Sequence, residues 1–334
     1  MLTDLQPIDY DQPLSILIGE NGSGKSQALS DIAEAYISKN YRVIAIANCP
    51  FDKFRDKGKR YHFMGGRYGQ SFVATALQTI INSINEPSAA RYHIGTVLSY
   101  LGYNPQLGIS QEETKFQVDW HDLSMSHSNA SSRKFSKDGY RNLNLSKDEL
   151  HNWPAIFLKK GDQEFPLELA SSGEIQLLTT LAFIASHITE RTAILIDEPE
   201  NSLHPRWQRN YINRLFDLFQ SSEPKVVIAT HSPVMVTTVP HSGVPWQAYR
   251  LSNNIPHQVT CRDEGMEQVL WDVFRMLTPR SAFLSRHMAN LLHQFQIRKI
   301  SIQEFNEEFN ELEEAARHDS KQQELIARAR MIAQ

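Results

Sequence analysis

The stretch GENGSGKS, residues 19–26, constrains this chain more than any other. It follows the apolar run LSILI at 14–18 and precedes QALSDIAEAYIS, in which Leu29, Ile32, Ala33, Tyr36 and Ile37 recur at the period of a helix with one buried face. A Gly-rich loop between a buried strand and a helix has a definite chemistry. Gly19, Glu20, Asn21, Gly22, Ser23 and Gly24 turn backbone N–H groups toward a phosphate chain, with the helix N-terminus behind them. Lys25 reaches the outer phosphates, and the Ser26 hydroxyl can ligate Mg2+.

The rest of the chain alternates in a way that places this loop in a larger fold. YRVIAIANC at 41–49 reads as a second strand, and the basic, aromatic PFDKFRDKGKRYHFMGGRYGQ after it as a turn-rich loop. From Phe72 to about Asn104 the pattern is helical, and from Gln106 to Ser146 it is polar, so 72–150 reads as a helical and loop insertion. AIFLKK and FPLELA are two short strands joined by Gly161-Asp162; SGEIQLLTTLAFIASHI is a helix, RTAILIDEPE a buried strand, PRWQRNYINRLFDLFQ a helix and KVVIATHSP another buried strand. Strands alternating with helices predict an α/β domain with a largely parallel sheet and ligands at the strand ends. Its two halves are expected at 1–71 and 151–262, with a charged, helical C-terminal region at 263–334. There Phe305, Phe309, Leu312 and Ala316 form one apolar face, expected to pack on the helix carrying Leu284, Met288, Leu291 and Leu292.

Composition excludes several classes. A formal net charge of −4, from 34 basic and 38 acidic side chains, leaves no overall attraction for nucleic acid, so any such contact is local. The candidate patch is residues 53–60, where Lys53, Arg55, Lys57, Lys59 and Arg60 stand among aromatic residues; a solvated loop over the nucleotide is the competing reading. Cys49 and Cys261 make neither a metal spacing nor a disulfide framework, and His62, His93, His121 and His127 are scattered. With no apolar run near the ~18 residues that span a bilayer and no leader-like start, the expectation is a cytoplasmic protein without a membrane segment.

Three further motifs follow the glycine loop. ILIDEPE puts Asp197 and Glu198 at the end of an apolar strand, where one carboxylate can hold the Mg2+ shell and the other can orient or deprotonate water. Before it, LASSGEIQ opens a helix with Ser171, Ser172 and Gly173, either a second anion site or a plain helix cap involving Glu174. After it, VVIATHSP ends a buried strand with His231.

In this order GENGSGKS, SSGE, ILIDEPE, ENSLHP and THSP resemble the Walker A, signature, Walker B and switch motifs of ABC-type ATPase heads. More narrowly, SSGE with DEPENSLHP and THSP is similar to the soluble ATPases of the OLD (overcoming lysogenization defect) class. IANCPFDKF and GMEQVLWDVFRMLTP resemble stretches of ATPase subunits of bacterial antiphage systems such as Septu. The resemblance implies an ABC-type head, ATP and Mg2+ as cofactors, and ATP hydrolysis. Gly19 to Ser26 would bind the phosphates, Ser26 and Asp197 the metal, and Lys25, Glu198 and His231 would act on the γ-phosphate and water. It further implies that ATP is sandwiched between two heads of a homodimer or larger homo-oligomer. Ser171, Ser172 and Gly173 would then serve the opposite site, and Glu200 to Pro205 would cross between heads.

This sequence departs from the pattern at Ala170, where leucine is usual, and at Glu174, where glutamine is usual; Gln70 is the candidate for the Q-loop glutamine. No acidic cluster after THSP matches the Toprim nuclease domain of the OLD proteins, so the expected employment is as the ATPase subunit of a defence complex whose effector, such as a nuclease, is a separate chain. The alternatives are a RecF-like repair ATPase acting on DNA and a slowly hydrolysing, ATP-locked scaffold.

Overall fold

The computed structural model describes residues 8–49, 52–55, 58–65, 80–81, 89–110, 118–124, 155–252, 254–260, 266–278, 282–317 and 319–333. Gln70, Lys57, His127 and Cys261 lie outside them.

The first strand, β1 (Leu14–Ile18), lies in the interior of a seven-stranded sheet, and its sequence shows why. All five residues are buried, as a strand covered on both faces requires. Leu14, Ile16 and Ile18 face one apolar cluster and Leu17 the opposite one, the alternation that a pleated strand imposes. Its neighbours are β9 (Lys225–Thr230) on one side and β10 (Trp246–Ser252) on the other, both parallel to it. Beyond β9 come β8 (Thr192–Asp197), β2 (Arg42–Ala47) and β3 (Tyr61–Gly65), again parallel; beyond β10 comes β11 (Ile255–Val259), antiparallel. The strand bearing THSP thus lies between the strand of the glycine loop and that of the carboxylate pair, so the ends of all three converge.

Helix α1 (Lys25–Ser38) covers one face, burying Ala28, Leu29, Ile32, Ala33 and Tyr36, each large side chain worth roughly 1.5–3 kcal/mol. The other face carries α3 (Ser172–His187), whose Leu177, Leu178, Leu181 and Phe183 are buried, and α4 (Pro205–Phe219), which buries Tyr211, Ile212, Leu215 and Phe219. Strands alternating with helices on both faces of a mostly parallel sheet, with the glycine-loop strand in its interior, make an α/β domain of the kind the sequence predicts.

Two local expectations are corrected. The loop expected after β2 contains β3: as an edge strand it buries Tyr61, Met64 and Gly65 while His62 and Phe63 stay partly exposed, so no continuous apolar run announces it. Within 72–150 the described residues include α2 (Ala89–Tyr100), but also two strands, β4 (Gln106–Ser110) and β5 (Asp119–Asp122), where a polar loop is the sequence expectation. They pair antiparallel with each other, and β4 pairs with β6 (Ala155–Lys160), which pairs with β7 (Gln163–Pro166), in a separate four-stranded sheet ordered β5-β4-β6-β7. The two strands joined by Gly161-Asp162 therefore belong with the insertion and not with the main sheet. Leu107 and Leu158 are fully buried partners across it.

The four-residue helix α5 (Pro233–Val236) precedes β10, and the described residues after β11 include four helices: α6 (Met266–Phe274), α7 (Ala282–Gln296), α8 (Ile302–Ala315) and α9 (Ser320–Ala333). Phe305, Phe309, Leu312 and Ala316 pack with Leu284, Met288 and Leu291 around the buried Trp271, as the apolar stripe predicts. A carboxylate fastens this cluster: Glu308 Oε1 accepts from Trp271 Nε1 at 2.9 Å and Arg275 Nη1 at 3.3 Å, and lies 3.2 Å from His287 Nε2. No helix among the described residues is long and apolar enough to cross a membrane.

Candidate functional site

Gly24 closes the glycine loop in a left-handed conformation, φ 98°, immediately before α1. No side chain fits there: an added Cβ would stand 1.8 Å from Asn254 Oδ1. Asn254, in the turn between β10 and β11, also donates its backbone N–H to Ser23 O at 3.2 Å. The hairpin turn thus backs the loop from outside, a contact invisible in the sequence because Asn-Asn between two strands signals only a turn.

Inside the loop Lys25 is folded inward, 5% exposed, and donates from Nζ to the carbonyls of Gly19 at 2.8 Å and Glu20 at 3.1 Å. It stands 3.8 Å from Glu198 Oε1. A cleft of about 400 Å3 opens here, and its lining includes Asn21, Gly24, Lys25, Ser26, Lys53, Glu198 and Asn254.

Asp197 ends β8 fully buried. The Ser26 hydroxyl hydrogen-bonds to its carboxylate, and Cys49 Sγ lies 3.7 Å from Oδ2. Burial pushes its carboxyl up to about 6, against the opposing pulls of Ser26 and Lys25. Asp197 Oδ1 is buried with no protein donor, an orphan acceptor beside a serine oxygen. Hard oxygen donors with one lone pair set unmatched fit Mg2+.

Glu198 follows in a left-handed conformation, φ 52°, its backbone N–H bonded to Ala229 O at 2.9 Å. Its Oε2 lies 3.1 Å from His231 Nδ1, and that nitrogen lies 3.3 Å from Glu200 Oε1. Glu200 is buried and accepts from Thr230 Oγ1 and from the His231 backbone N–H, both at 2.7 Å. Glu198, Glu200 and His231 thus offer ligand atoms within 4.8 Å of one another, Glu200 joining the pair Glu198 and His231. The loop after β8 is tied further by Asn201 Nδ2 to Asn48 O at 3.2 Å and by Gln208 Nε2 to Leu203 O at 2.9 Å, while Ser232 Oγ donates to Gln208 Oε1 at 2.8 Å. Glu200 is in the quoted motif, yet only its contacts reveal that it holds the two strand ends together.

The structure does not bring Ser171, Ser172 and Gly173 into this cleft. They open α3 with a capping box: Ser171 Oγ accepts from the Glu174 backbone N–H at 3.3 Å, and Glu174 Oε2 accepts from the Ser171 backbone N–H at 2.9 Å. Within one chain, helix capping is what these residues do. Ser171 and Ser172 are exposed, whereas Gly173 is buried where a Cβ would meet Ser202 O at 2.8 Å and the Trp207 ring.

The 53–60 basic cluster is divided. Arg55 lies 3.4 Å from Glu34 Oε1 and 4.6 Å from the Tyr61 ring centroid, and Arg60 donates to Asn40 Oδ1 at 2.8 Å. Lys53 turns to the cleft.

The chain is similar in part to several known proteins. Residues 89–237 match the family described as AAA domain, putative AbiEii toxin, Type IV TA system. That span holds Ser171 to Gly173, Asp197, Glu198 and His231 but not the glycine loop. The chain is 36% identical over 80 residues to Protein ea59 of Escherichia phage lambda, covering 24% of this chain and 15% of that protein. It is 31% identical over 112 residues to the Retron Ec83 probable ATPase of Escherichia coli, covering 30% of this chain and 20% of that protein. The chain therefore spans only a small part of either relative. Among solved structures, the SMC head domain from Thermotoga maritima is similar with a TM-score of 0.37 and 14% identity, covering 76% of this chain and 92% of that one. An ATP-binding cassette of an ABC transporter in its ADP conformation gives 0.35 and 12%, covering 79% and 87%.

Proposed function

We propose that this chain is a Mg2+-dependent ATPase whose nucleotide-bound head pairs with a second head, and that it serves as the regulatory ATPase of an OLD-related, Septu-like bacterial antiphage system acting through an effector on another chain, such as a nuclease. The observation that carries the ATPase reading is the convergence of Ser26, Asp197, Glu198 and His231 around Lys25 at one cleft. The likeness to the Retron Ec83 probable ATPase supports the ATPase reading.

Bound Mg2+ would neutralise phosphate charge and polarise the terminal phosphoryl group. Ser26 and Asp197 would hold it, the protein supplying the orphan Oδ1. Lys25 would exchange its two carbonyl partners for outer phosphate oxygens. Glu198 would accept a proton from the attacking water, while His231, held by Glu198 and Glu200, would report the presence of the terminal phosphate. Ser171 and Ser172, exposed at the start of α3, would reach the phosphates of a second head.

The test is Glu198→Gln, which keeps the shape and the metal shell but removes the base. ATP binding should persist, hydrolysis should fall by about two orders of magnitude or more, and light scattering should show an ATP-dependent rise in molar mass greater than that of Asp197→Ala. Hydrolysis at the wild-type rate would overturn the assignment.

A further inference from the structure

The segment after β2 presents Lys53 between two anchored neighbours. Asp52 and Phe54 are 8% and 2% exposed, and the Phe54 backbone N–H donates to Asp52 Oδ1 at 2.9 Å. Phe54 packs near Phe63, ring centroids 6.1 Å apart, in the same apolar cluster as Ala28, Leu29 and Ile32 of α1. With both flanking residues committed to the interior, the Lys53 side chain is left outside, where it forms part of the cleft wall with the glycine loop, Lys25 and Ser26.

Charge balance gives that placement a purpose. Asp197, Glu198 and Glu200 bring three carboxylates to the phosphate-facing strand ends, against Lys25 and the partly exposed His231. Besides the Mg2+ that Ser26 and Asp197 would hold, a polyphosphate entering a site rich in carboxylates has one lysine to meet it, itself 3.8 Å from Glu198. Among the described residues no carboxylate pairs with Lys53, whereas the nearby Arg55 is engaged by Glu34.

We infer that Lys53 is a second phosphate-binding lysine, its ammonium directed at the phosphate chain of the nucleotide held by the glycine loop. The inference rests on the nucleotide reading above and assigns to the segment between β2 and β3 a direct part in binding. It also removes Lys53 from any nucleic-acid patch.

The experiment is equilibrium titration with a fluorescent ATP analogue and Mg2+ at fixed ionic strength, on wild-type protein, Lys53→Met, Lys53→Arg, Lys53→Glu and Lys59→Met, each checked for an unchanged unfolding transition. Loss of one charge-assisted contact predicts binding weakened about tenfold or more in Lys53→Met and further in Lys53→Glu, with Lys53→Arg close to wild type. Lys59→Met, which removes an exposed charge of the same loop, should bind as wild type. Should Lys53→Met unfold, Lys53→Gln carries the same comparison. Equal affinities for Lys53→Met and Lys59→Met, or an arginine variant no better than methionine, overturn the inference. Lys25→Ala separates the two levels: if it binds like wild type the nucleotide reading itself fails, and if it alone loses binding only the role of Lys53 does.

Discussion

Glu200 and Thr230 meet across two strand ends, Thr230 Oγ1 donating to Glu200 Oε1 at 2.7 Å, and the same oxygen takes the His231 backbone N–H. The loop after β8 and the histidine after β9 are therefore one mechanical unit: neither shifts without breaking a buried hydrogen bond.

Removing that acceptor leaves the buried Thr230 hydroxyl and the partly buried His231 N–H unmatched. Glu200→Ala should lower the free energy of unfolding by about 1–3 kcal/mol, while Glu200→Gln, which keeps a carbonyl oxygen in place, should cost less. Urea unfolding of the two variants checks this, and an alanine variant as stable as wild type would remove Glu200 from its bridging position.

Gly24 offers a sharper test of the loop. Alanine there meets both an unfavourable φ, worth about 1–2 kcal/mol, and the Asn254 side chain. Gly24→Ala should lose nucleotide binding, and the double variant Gly24→Ala/Asn254→Gly, which clears the clash but not the backbone strain, should recover part of it. Titration with MgATP reads both; no recovery would mean that Asn254 does not limit the loop.

The exposed start of α3 can be tested in mixed assemblies. Gly173 is unsuitable because a side chain there would strike Ser202 and Trp207, but Ser172 is exposed. Ser172→Arg should bind ATP and fail to hydrolyse it, and mixing with Lys25→Ala protein should restore part of the turnover by forming one complete composite site. Absence of rescue in mixed dimers that demonstrably form counts against a shared site.

Glu308 sets an acid limit on the C-terminal helices. Burial raises its carboxyl, but the hydrogen bond to His287, the Arg275 guanidinium and the Trp271 N–H outweigh this and bring it to about 2. A folded value below the unfolded one means that the stability is fully present above about pH 4.5 and is lost as pH falls from there toward 2, a contribution on the order of 3 kcal/mol. Glu308→Gln should be less stable at pH 7 and nearly equal to wild type at the acid end of that window. Unfolding curves at several pH values check it, and a constant difference across the window would refute the linkage.

Much of this architecture is legible in the sequence because it depends on local pattern. LSILI and GENGSGKS fix a strand, a loop and a helix start within a short stretch, and the apolar runs before Asp197 and His231 are those of doubly covered strands. What escaped reading depends on long-range meeting. β3 is an edge strand with one-sided burial, and β4 and β5 become strands by pairing with β6 and with each other rather than through any run of their own. Lys53 and Asn254 look like loop residues until the fold carries them to the cleft. Gly173 reads as an open helix start, and only packing against Ser202 and Trp207 shows it closed.

The position of β1 also governs how the protein is made. Its two neighbours, β9 and β10, both follow it by most of the chain, so an emerging LSILI lacks both partner edges until Lys225–Thr230 and then Trp246–Ser252 have left the ribosome. During synthesis that strand is an unpaired apolar segment needing protection from self-association, since non-local pairing is slow to form. The same delay reaches the glycine loop, whose Ser23 carbonyl meets the Asn254 N–H only once the turn after β10 has been made.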